Sequence, residues 1–196
     1  MSLLGSTAAQ TDIEIMIPLF KDAGRSDTIV EFDFSGVEHT NGSYLRASVF
    51  WTLMCGRLDA LGEDPTQANG QIFAVRPYPF FPLLSNCCEE VSEEIHDFLL
   101  QRDSAVLQLQ SPPHAATREA ALMGRLEPFL ITTLNLLCEV GEGTADDLLK
   151  RSDEKITVNG WSKRLLELHT MRLVYRRREG RYWIYTPLEK NIRLWA

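Results

Sequence analysis

The chain has 196 residues, 44% hydrophobic and 24% charged, which is the composition of an ordinary globular protein. Its net charge of −7 is unfavourable for a protein that binds nucleic acid, and no run approaches the roughly 20 apolar residues that span a bilayer. The charge is unevenly distributed: residues 1–110 hold 6 Lys+Arg and 16 Asp+Glu, and residues 111–196 hold 14 and 11. These balances of −10 and +3 predict two modules with different partners.

Residues that carry chemistry are few and scattered. The four cysteines form no C-x-x-C pair and indicate reduced thiols in a cytoplasmic protein. We expect neither a signal peptide nor a membrane partner, because no basic segment followed by an apolar run begins the chain. The histidines lack metal-ligand spacing, and a turn or capping role suits Asp33 and Glu38 better than acid–base work. We therefore expect no enzyme activity, catalytic residue, metal site or cofactor.

Strand-like and helix-like segments alternate in the first half of the chain. The run TIVEFDF (28–34) is the strongest strand signal, because its apolar residues are β-prone. Apolar residues recur every three to five positions from 44 to 61, which predicts a helix with Asn41 or Ser43 as its N-cap. Prolines between 77 and 82 lack backbone donors and argue against a regular helix or central strand. The other expectations are a disordered tail at 1–11, strands at 12–20, 71–76 and 105–109, and a helix from Ser85 or Asn86 to about Gln101.

The second half begins at a candidate linker, residues 111–114 (SPPH). Residues 115–140 have a helical pattern, in which Pro128 marks either a kink or the first turn of a separate helix. The whole order of elements predicts an α/β (α+β) protein. We expect a small mixed sheet with helices in residues 12–110 and a second domain in residues 115–196.

A helix, a turn, a second helix and a hairpin are predicted next. Thr144 and Asp147 have capping-box spacing at the start of a two-turn helix. The following helix starts at Thr157 or Asn159, and a turn at Glu179-Gly180 joins two β-rich runs. In this second helix, helical spacing predicts two faces. The inner face has Trp161, Leu165, Leu168 and Met171, and the outer face has Asn159, Ser162, Lys163, Leu166, Glu167 and Thr170.

This order, with the patterns S-x-x-L-x-x-L, L-V-x-R and G-R-x-W-x-Y, resembles the winged helix-turn-helix family over roughly residues 126–188. The resemblance implies a recognition helix near residues 158–170 in the major groove of double-stranded DNA, and a wing that reaches phosphates or the minor groove. Carried over by position, the contacts of the recognition helix are Asn159, Ser162, Lys163 and Arg164, and those of the wing are Arg176, Arg177, Arg178 and Arg181. The alternative is that these arginines only solvate an edge hairpin.

The pattern D-x-S-G-V at residues 33–37, followed by a turn and a helix, resembles STAS-like domains across at most residues 12–110. Many members phosphorylate a serine in a D-S-S-G turn, and Gly42 stands in its place here. Ser43 remains as a candidate phospho-acceptor or anion site at a helix N-terminus, and the alternative for it is a plain N-cap. The resemblance implies a sensing or protein-interaction module without catalysis.

The two resemblances together predict a DNA-binding transcriptional regulator. A protein partner would bind the acidic N-terminal domain, and a homodimer would present two winged helices to two half-sites. The alternative is an adaptor that does not bind DNA, comparable to an anti-sigma-factor antagonist or an assembly component, in which both domains contact proteins. An enzyme is the least favoured class.

Overall fold

The computed structural model describes residues 1–23, 28–56, 80–110 and 118–195. The elements of the first half are β1 (Ser2–Leu3), α1 (Ser6–Ala23), β2 (Thr28–Asp33), β3 (His39–Thr40), α2 (Gly42–Leu45), a π-helical segment (Arg46–Phe50), α3 (Trp51–Gly56), β4 (Phe80–Ser85), α4 (Glu89–Leu100) and β5 (Ala105–Leu109). Those of the second half are β6 (Glu119–Gly124), α5 (Pro128–Val140), α6 (Ala145–Arg151), α7 (Val158–Thr170), β7 (Val174–Glu179), β8 (Tyr182–Pro187) and β9 (Asn191–Leu194).

A five-stranded mixed sheet lies at the centre, in the order β2-β4-β5-β6-β9. Strands β2, β4 and β5 are parallel, β6 runs antiparallel to β5, and β9 runs parallel to β6. Strands β1 and β3 form a separate parallel pair, and β7 and β8 form an antiparallel hairpin. The expected α/β class is confirmed, and strands from both halves of the chain share one sheet.

The two faces of this sheet carry different layers of helices, because alternate residues of a strand point to opposite sides. On one face, Leu83 and Leu107 belong to a buried cluster that contains the inner residues of α5, α6 and α7. On the other face, Leu84 and Val106 belong to a cluster with residues of α1, α2 and α4. The helices near the C-terminus therefore pack directly on the sheet that the first half of the chain begins.

The predicted linker at 111–114 and strand at 71–76 lie outside the described residues. Both the sheet and the buried cluster beneath α5–α7 include residues from before and after the linker. The division into domains at 12–110 and 115–196 stays a prediction, but it does not coincide with a division of the sheet. Among the residues that the structure describes, no helix combines the length and apolarity that crossing a bilayer requires.

The predicted tail and first strand are wrong from Ser6 onward, because this segment forms α1. A strand would place Ile13 and Ile15 on the same face, yet Ile13 is 2% exposed and Ile15 is 66% exposed. Ala9 and Ile13, four residues apart, are both buried. That spacing is helical. Two such residues are too few to indicate a helix in a sequence whose loose alternation of apolar residues suggests a strand.

A central strand occurs where the prolines argued against one. Strand β4 is buried along its whole length and includes Pro82. Residues Phe80 to Pro82 pair with β2, whereas pairing with β5 begins only at Leu83. Pro82 is thus in the part of the strand that pairs on one side only, where a missing backbone donor is tolerated.

Two further predictions need correction. The helical pattern at 115–140 contains strand β6, and α5 begins at Pro128 with Glu127 as its N-cap. The run Ala120–Met123 is apolar because both faces of β6 are covered, and periodicity cannot distinguish such a run from a helix. The sheet therefore continues beyond β5 with β6 and β9. Helix α4 is capped at Cys88 rather than at Ser85 or Asn86.

The predicted capping box at the start of α6 is confirmed. The Thr144 hydroxyl accepts a hydrogen bond from the Asp147 amide, and the Asp147 carboxylate accepts one from the Thr144 amide at 2.9 Å. The Thr144 amide and hydroxyl both donate to this carboxylate and hold the pKa of Asp147 below its ordinary value of 3.8. Its contribution to stability is therefore present above that value and is lost as the pH falls through the lowered folded-state pKa.

We expect Thr144→Ala to lower the free energy of unfolding by about 1 kcal/mol, because the first turn of α6 loses its cap. Urea denaturation at neutral pH measures the change. Thr132→Ala is the matched control, since Thr132 is an exposed residue within α5 whose hydroxyl donates to the Pro128 carbonyl. Equal losses in the two variants would contradict a special role for the cap.

Candidate nucleic-acid interface

Three helices and a hairpin form one packed unit on the sheet. The inner faces of α5, α6 and α7 share a buried cluster that includes Leu134, Leu148 and Leu165. Gly143, just before α6, pairs with Tyr185 of β8 through two backbone hydrogen bonds of 2.9 and 3.0 Å. The hairpin is thereby tied to the helices, and its position does not depend on its own turn alone.

Helix α7 begins at a well-defined point. Thr157 is the N-cap, and its hydroxyl accepts a hydrogen bond from the Gly160 amide at 3.3 Å. Ile156 precedes the cap and Trp161 is the fourth helical residue, and both pack in the same cluster. These two positions are the ones that form a hydrophobic staple. Of the two predicted starts, Thr157 is therefore the cap, and Asn159 lies in the first turn.

The outer face of α7 is open to solvent. Asn159, Lys163 and Glu167 are exposed, as are Val158 (38%) and Leu166 (42%), and Ser162 is half-buried. At about 100° per residue, Asn159 and Leu166 lie within about 20° of each other at the middle of this face. The predicted inner residues Trp161, Leu165 and Leu168 are buried, as expected, whereas Met171 is half-buried at the C-cap.

Arg164, which the resemblance implies is a DNA contact, does not lie on the outer face of α7. Its side chain is 17% exposed and forms an ion pair of 2.7 Å with Glu154. Its guanidinium carbon also lies 5.3 Å from the centre of the Phe129 ring and 5.2 Å from that of Trp161. Arg164 thus joins α7 to α5 and to the segment before α7, and a carboxylate already neutralises its charge.

Two of the four hairpin arginines are held by other side chains. Arg177 pairs with Glu142 at 2.8 Å and with Glu179 at 2.9 Å. Its hydrogen bond to Glu142 raises the pKa of the Arg177 guanidinium and lowers the pKa of Glu142. Arg176 is half-buried, and its guanidinium carbon lies 3.6 Å from the centre of the Trp183 ring. Arg176 and Arg177 therefore stabilise the hairpin itself.

Arg178 and Arg181 are the exposed charges of the hairpin tip. The Arg178 Nε donates to the Gly180 carbonyl at 3.2 Å, and the Arg181 guanidinium carbon lies 5.0 Å from the centre of the Tyr182 ring. Within the described ranges, neither of these arginines forms an ion pair with a carboxylate, and neither does Lys163. The tip also exposes the rings of Tyr182 and Trp183. The sequence prediction did not include these rings. Adjacent residues of a strand face opposite sides, so two neighbouring aromatic residues could have indicated that at least one ring is exposed.

The structure places Ser43 exposed at the second residue of α2. The cap is Asn41, whose side-chain oxygen accepts from the Tyr44 amide at 3.0 Å and from the Gly5 amide at 3.2 Å. The plain N-cap role of Ser43 is therefore excluded. Its role as a phospho-acceptor or anion site stays a prediction.

The surroundings of Asp33 and Cys87 favour structural roles for both side chains over catalytic ones. The Asp33 carboxylate accepts hydrogen bonds from the Ser35 hydroxyl, the Asn86 side chain and the Ser35 amide, which lower its pKa. It therefore serves as an ionised acceptor that joins the ends of β2 and β4. Burial raises the pKa of the Cys87 thiol to about 12, which favours an unreactive thiol.

Across the described residues, no group of three or more His, Cys, Asp or Glu side chains is arranged to hold a metal ion. Comparisons of the chain with protein-family profiles, with curated proteins and with solved structures found no match.

Proposed function

We propose that residues 126–188 are a winged helix-turn-helix that binds double-stranded DNA, in a transcriptional regulator whose first half is a STAS-like sensing layer. One observation carries the proposal. Helix α7 is anchored by a buried inner face while its outer face, with Asn159 and Lys163, is open to solvent. A hairpin with Arg178 and Arg181 exposed at its tip follows directly after α7.

In this proposal α7 enters the major groove and the hairpin contacts the backbone. The two exposed guanidinium groups are complementary to phosphate oxygens in geometry and in charge. The outer face of α7 offers one amide and one ammonium group, so it contributes fewer ionic contacts than the hairpin. Phosphate contacts of this kind position a protein on the duplex, and contacts with base edges select the sequence.

In this proposal the central sheet transmits a regulatory signal from the first half of the chain to α7 and the hairpin. The buried Phe81 of β4 lies with its ring centre 4.4 Å from that of Tyr175 in β7 and 6.2 Å from that of His169 in α7. A ligand or protein that shifts β4 would therefore shift both DNA-contacting elements. A homodimer formed by the first half of the chain would present two winged helices to two half-sites.

The second candidate function is a protein-interaction adaptor. It is favoured by the exposed aromatic rings of Tyr182 and Trp183, since aromatic side chains are enriched in protein interfaces. The net charge of −7 also opposes close approach to DNA outside the hairpin and α7.

A salt titration of binding to duplex DNA distinguishes the two candidates. We expect the double variant Arg178→Ala/Arg181→Ala to bind roughly tenfold more weakly at low salt. Its plot of log affinity against log salt should also be shallower, by about 0.9 for each lost phosphate contact. Fluorescence anisotropy with a labelled duplex measures both quantities.

The matched control is Arg46→Ala/Arg125→Ala, which removes the same charge from two exposed arginines outside the α7 and hairpin surfaces. It should leave the slope unchanged. A double variant of the hairpin with the wild-type slope would exclude the hairpin as the contact. Undetectable duplex binding by the wild-type protein at low salt would reject the DNA-binding function in favour of the adaptor.

A further inference from the structure

The middle of the outer face of α7 is partly apolar. Leu166 is 42% exposed and Val158 is 38% exposed, although the inner face of the same helix supplies the core. Val158, Ser162 and Leu166 follow one another at intervals of four residues and therefore lie along one row of the helix surface. Within the described part of the chain, the aliphatic side chains at the two ends of this row, Val158 and Leu166, keep more than a third of their surface exposed and are available for a contact outside the protein.

An amide lies beside this row. Asn159 is exposed and, at about 100° per residue, lies within about 20° of Leu166 around the helix axis. Lys163 lies about 40° from Asn159 on its other side, and Glu167 lies about 80° from Asn159 at the edge of the face. Asn159 and Leu166 therefore place a hydrogen-bonding amide beside methyl groups, with Lys163 next to the amide and Glu167 at the edge of the face.

We propose that the outer face of α7 selects A·T base pairs in the major groove. In this inference the Asn159 amide bonds to N6 and N7 of adenine, while Leu166 packs on the C5 methyl group of thymine. An A·T pair offers both an amide-compatible edge and an apolar methyl group, whereas a G·C pair offers no apolar group in that groove. The inference rests on the proposed DNA-binding function and names what that function recognises.

Charge complementarity favours a duplex over a protein as the occupant of this face. Lys163 lies on the same face, and Arg178 and Arg181 are exposed at the tip of the hairpin that follows α7. In the ranges that the structure describes, no carboxylate forms an ion pair with any of the three. The face itself has one base, Lys163, and one exposed carboxylate, Glu167, and the two arginines of the adjoining hairpin make the combined surface basic. Such a surface suits a ligand that has apolar groups at its centre and phosphates along its sides. The major groove of an A·T-rich duplex has this arrangement.

The test replaces thymine by uracil, which removes only the C5 methyl group. A duplex that the full-length protein binds is first selected from a random library, and its affinity is compared with that of the same duplex containing uracil. Burial of one methyl group corresponds to about fourfold in affinity. We therefore expect uracil to weaken binding about fourfold to tenfold, and we expect A·T pairs to be enriched in the selected duplexes.

Leu166→Ala should weaken binding to the thymine duplex and bring the ratio of the two affinities close to one. The matched control is Leu100→Ala, since Leu100 is an exposed leucine on α4. It should keep the wild-type ratio. Urea denaturation of each variant identifies any loss caused by unfolding.

The possible results separate the two proposals. Equal binding of the thymine and uracil duplexes would overturn the inference and leave DNA binding intact. A preference for thymine that persists in Leu166→Ala would also overturn it, because another group would then contact the methyl. If no duplex is bound at low salt, DNA binding fails and the inference fails with it.

Discussion

Gly124→Ala is expected to lower the free energy of unfolding by about 3 to 5 kcal/mol, which is near the upper end for a single substitution. Gly124 ends β6 with a φ of +81°, a conformation that costs a residue with a Cβ about 1 to 2 kcal/mol. The added Cβ would also collide with the Ser104 carbonyl oxygen and lie 2.7 Å from the Leu99 Cβ. Backbone atoms cannot move aside as a flexible side chain can, so the clash adds to the strain.

The surrounding hydrogen bonds leave this clash little room to relax. The Ser104 carbonyl accepts from the Arg125 amide at 2.8 Å, and the Gly124 amide donates to the His96 ring at 3.0 Å. Gly124 also stands opposite Ala105, at one end of the β5–β6 pairing. Relaxation would therefore open the strand pairing that connects the two halves of the chain.

Gly36→Ala is the matched control, because Gly36 has a φ of +75° but no atom within 4 Å of the added Cβ. It carries the conformational cost without the clash and should lose about 1 to 2 kcal/mol. Urea denaturation of the three proteins measures the difference. Equal losses in the two variants would show that the structure around Gly124 accommodates a Cβ.

Trp161→Ala is expected to cost about 3 to 5 kcal/mol, because it removes the largest side chain from the cluster between the sheet and α7. The ring of Trp161 is fully buried, and its loss would leave a cavity beneath the first turn of α7. The hydrophobic staple with Ile156 would be lost as well. We therefore expect the start of α7 to become mobile together with the loss of global stability.

Two variants make this test specific. Leu166→Ala removes an aliphatic side chain from the exposed face of the same helix and should cost less than about 0.5 kcal/mol. Trp161→Phe keeps an aromatic ring and removes an indole N–H that has no acceptor among the described residues. It should therefore cost much less than alanine. If Trp161→Ala and Leu166→Ala have similar denaturation midpoints, α7 is not anchored through Trp161.

Helix α7 and its neighbours follow from signals that act within a few residues. Thr144 and Asp147 satisfy backbone groups of the first turn of α6, so their spacing predicted where α6 begins. The sequence left the start of α7 open between Thr157 and Asn159, and the structure has Thr157 as the cap. The exposure of Asn159 and Lys163 likewise follows from the 3.6-residue period of a helix. The positions of Arg164 and Arg177 could not be read in this way. Their partners Glu154 and Glu142 lie 10 and 35 residues away and meet them only through the fold.

The sequence by itself determined the helix, turn, helix and hairpin, because local hydrogen bonds and helical periodicity specify each of them. Only the tertiary structure decided which segments join the sheet, since pairing between distant strands depends on partners that no local pattern names. Because both faces of β6 are buried, its sequence is continuously apolar and could not be distinguished from a helix. Pro82 is accommodated in β4 because that part of the strand pairs on one side only. The fold also decided that Arg178 and Arg181 remain exposed while Arg164 and Arg177 are neutralised, because only packed helices and strands bring the neutralising carboxylates within reach.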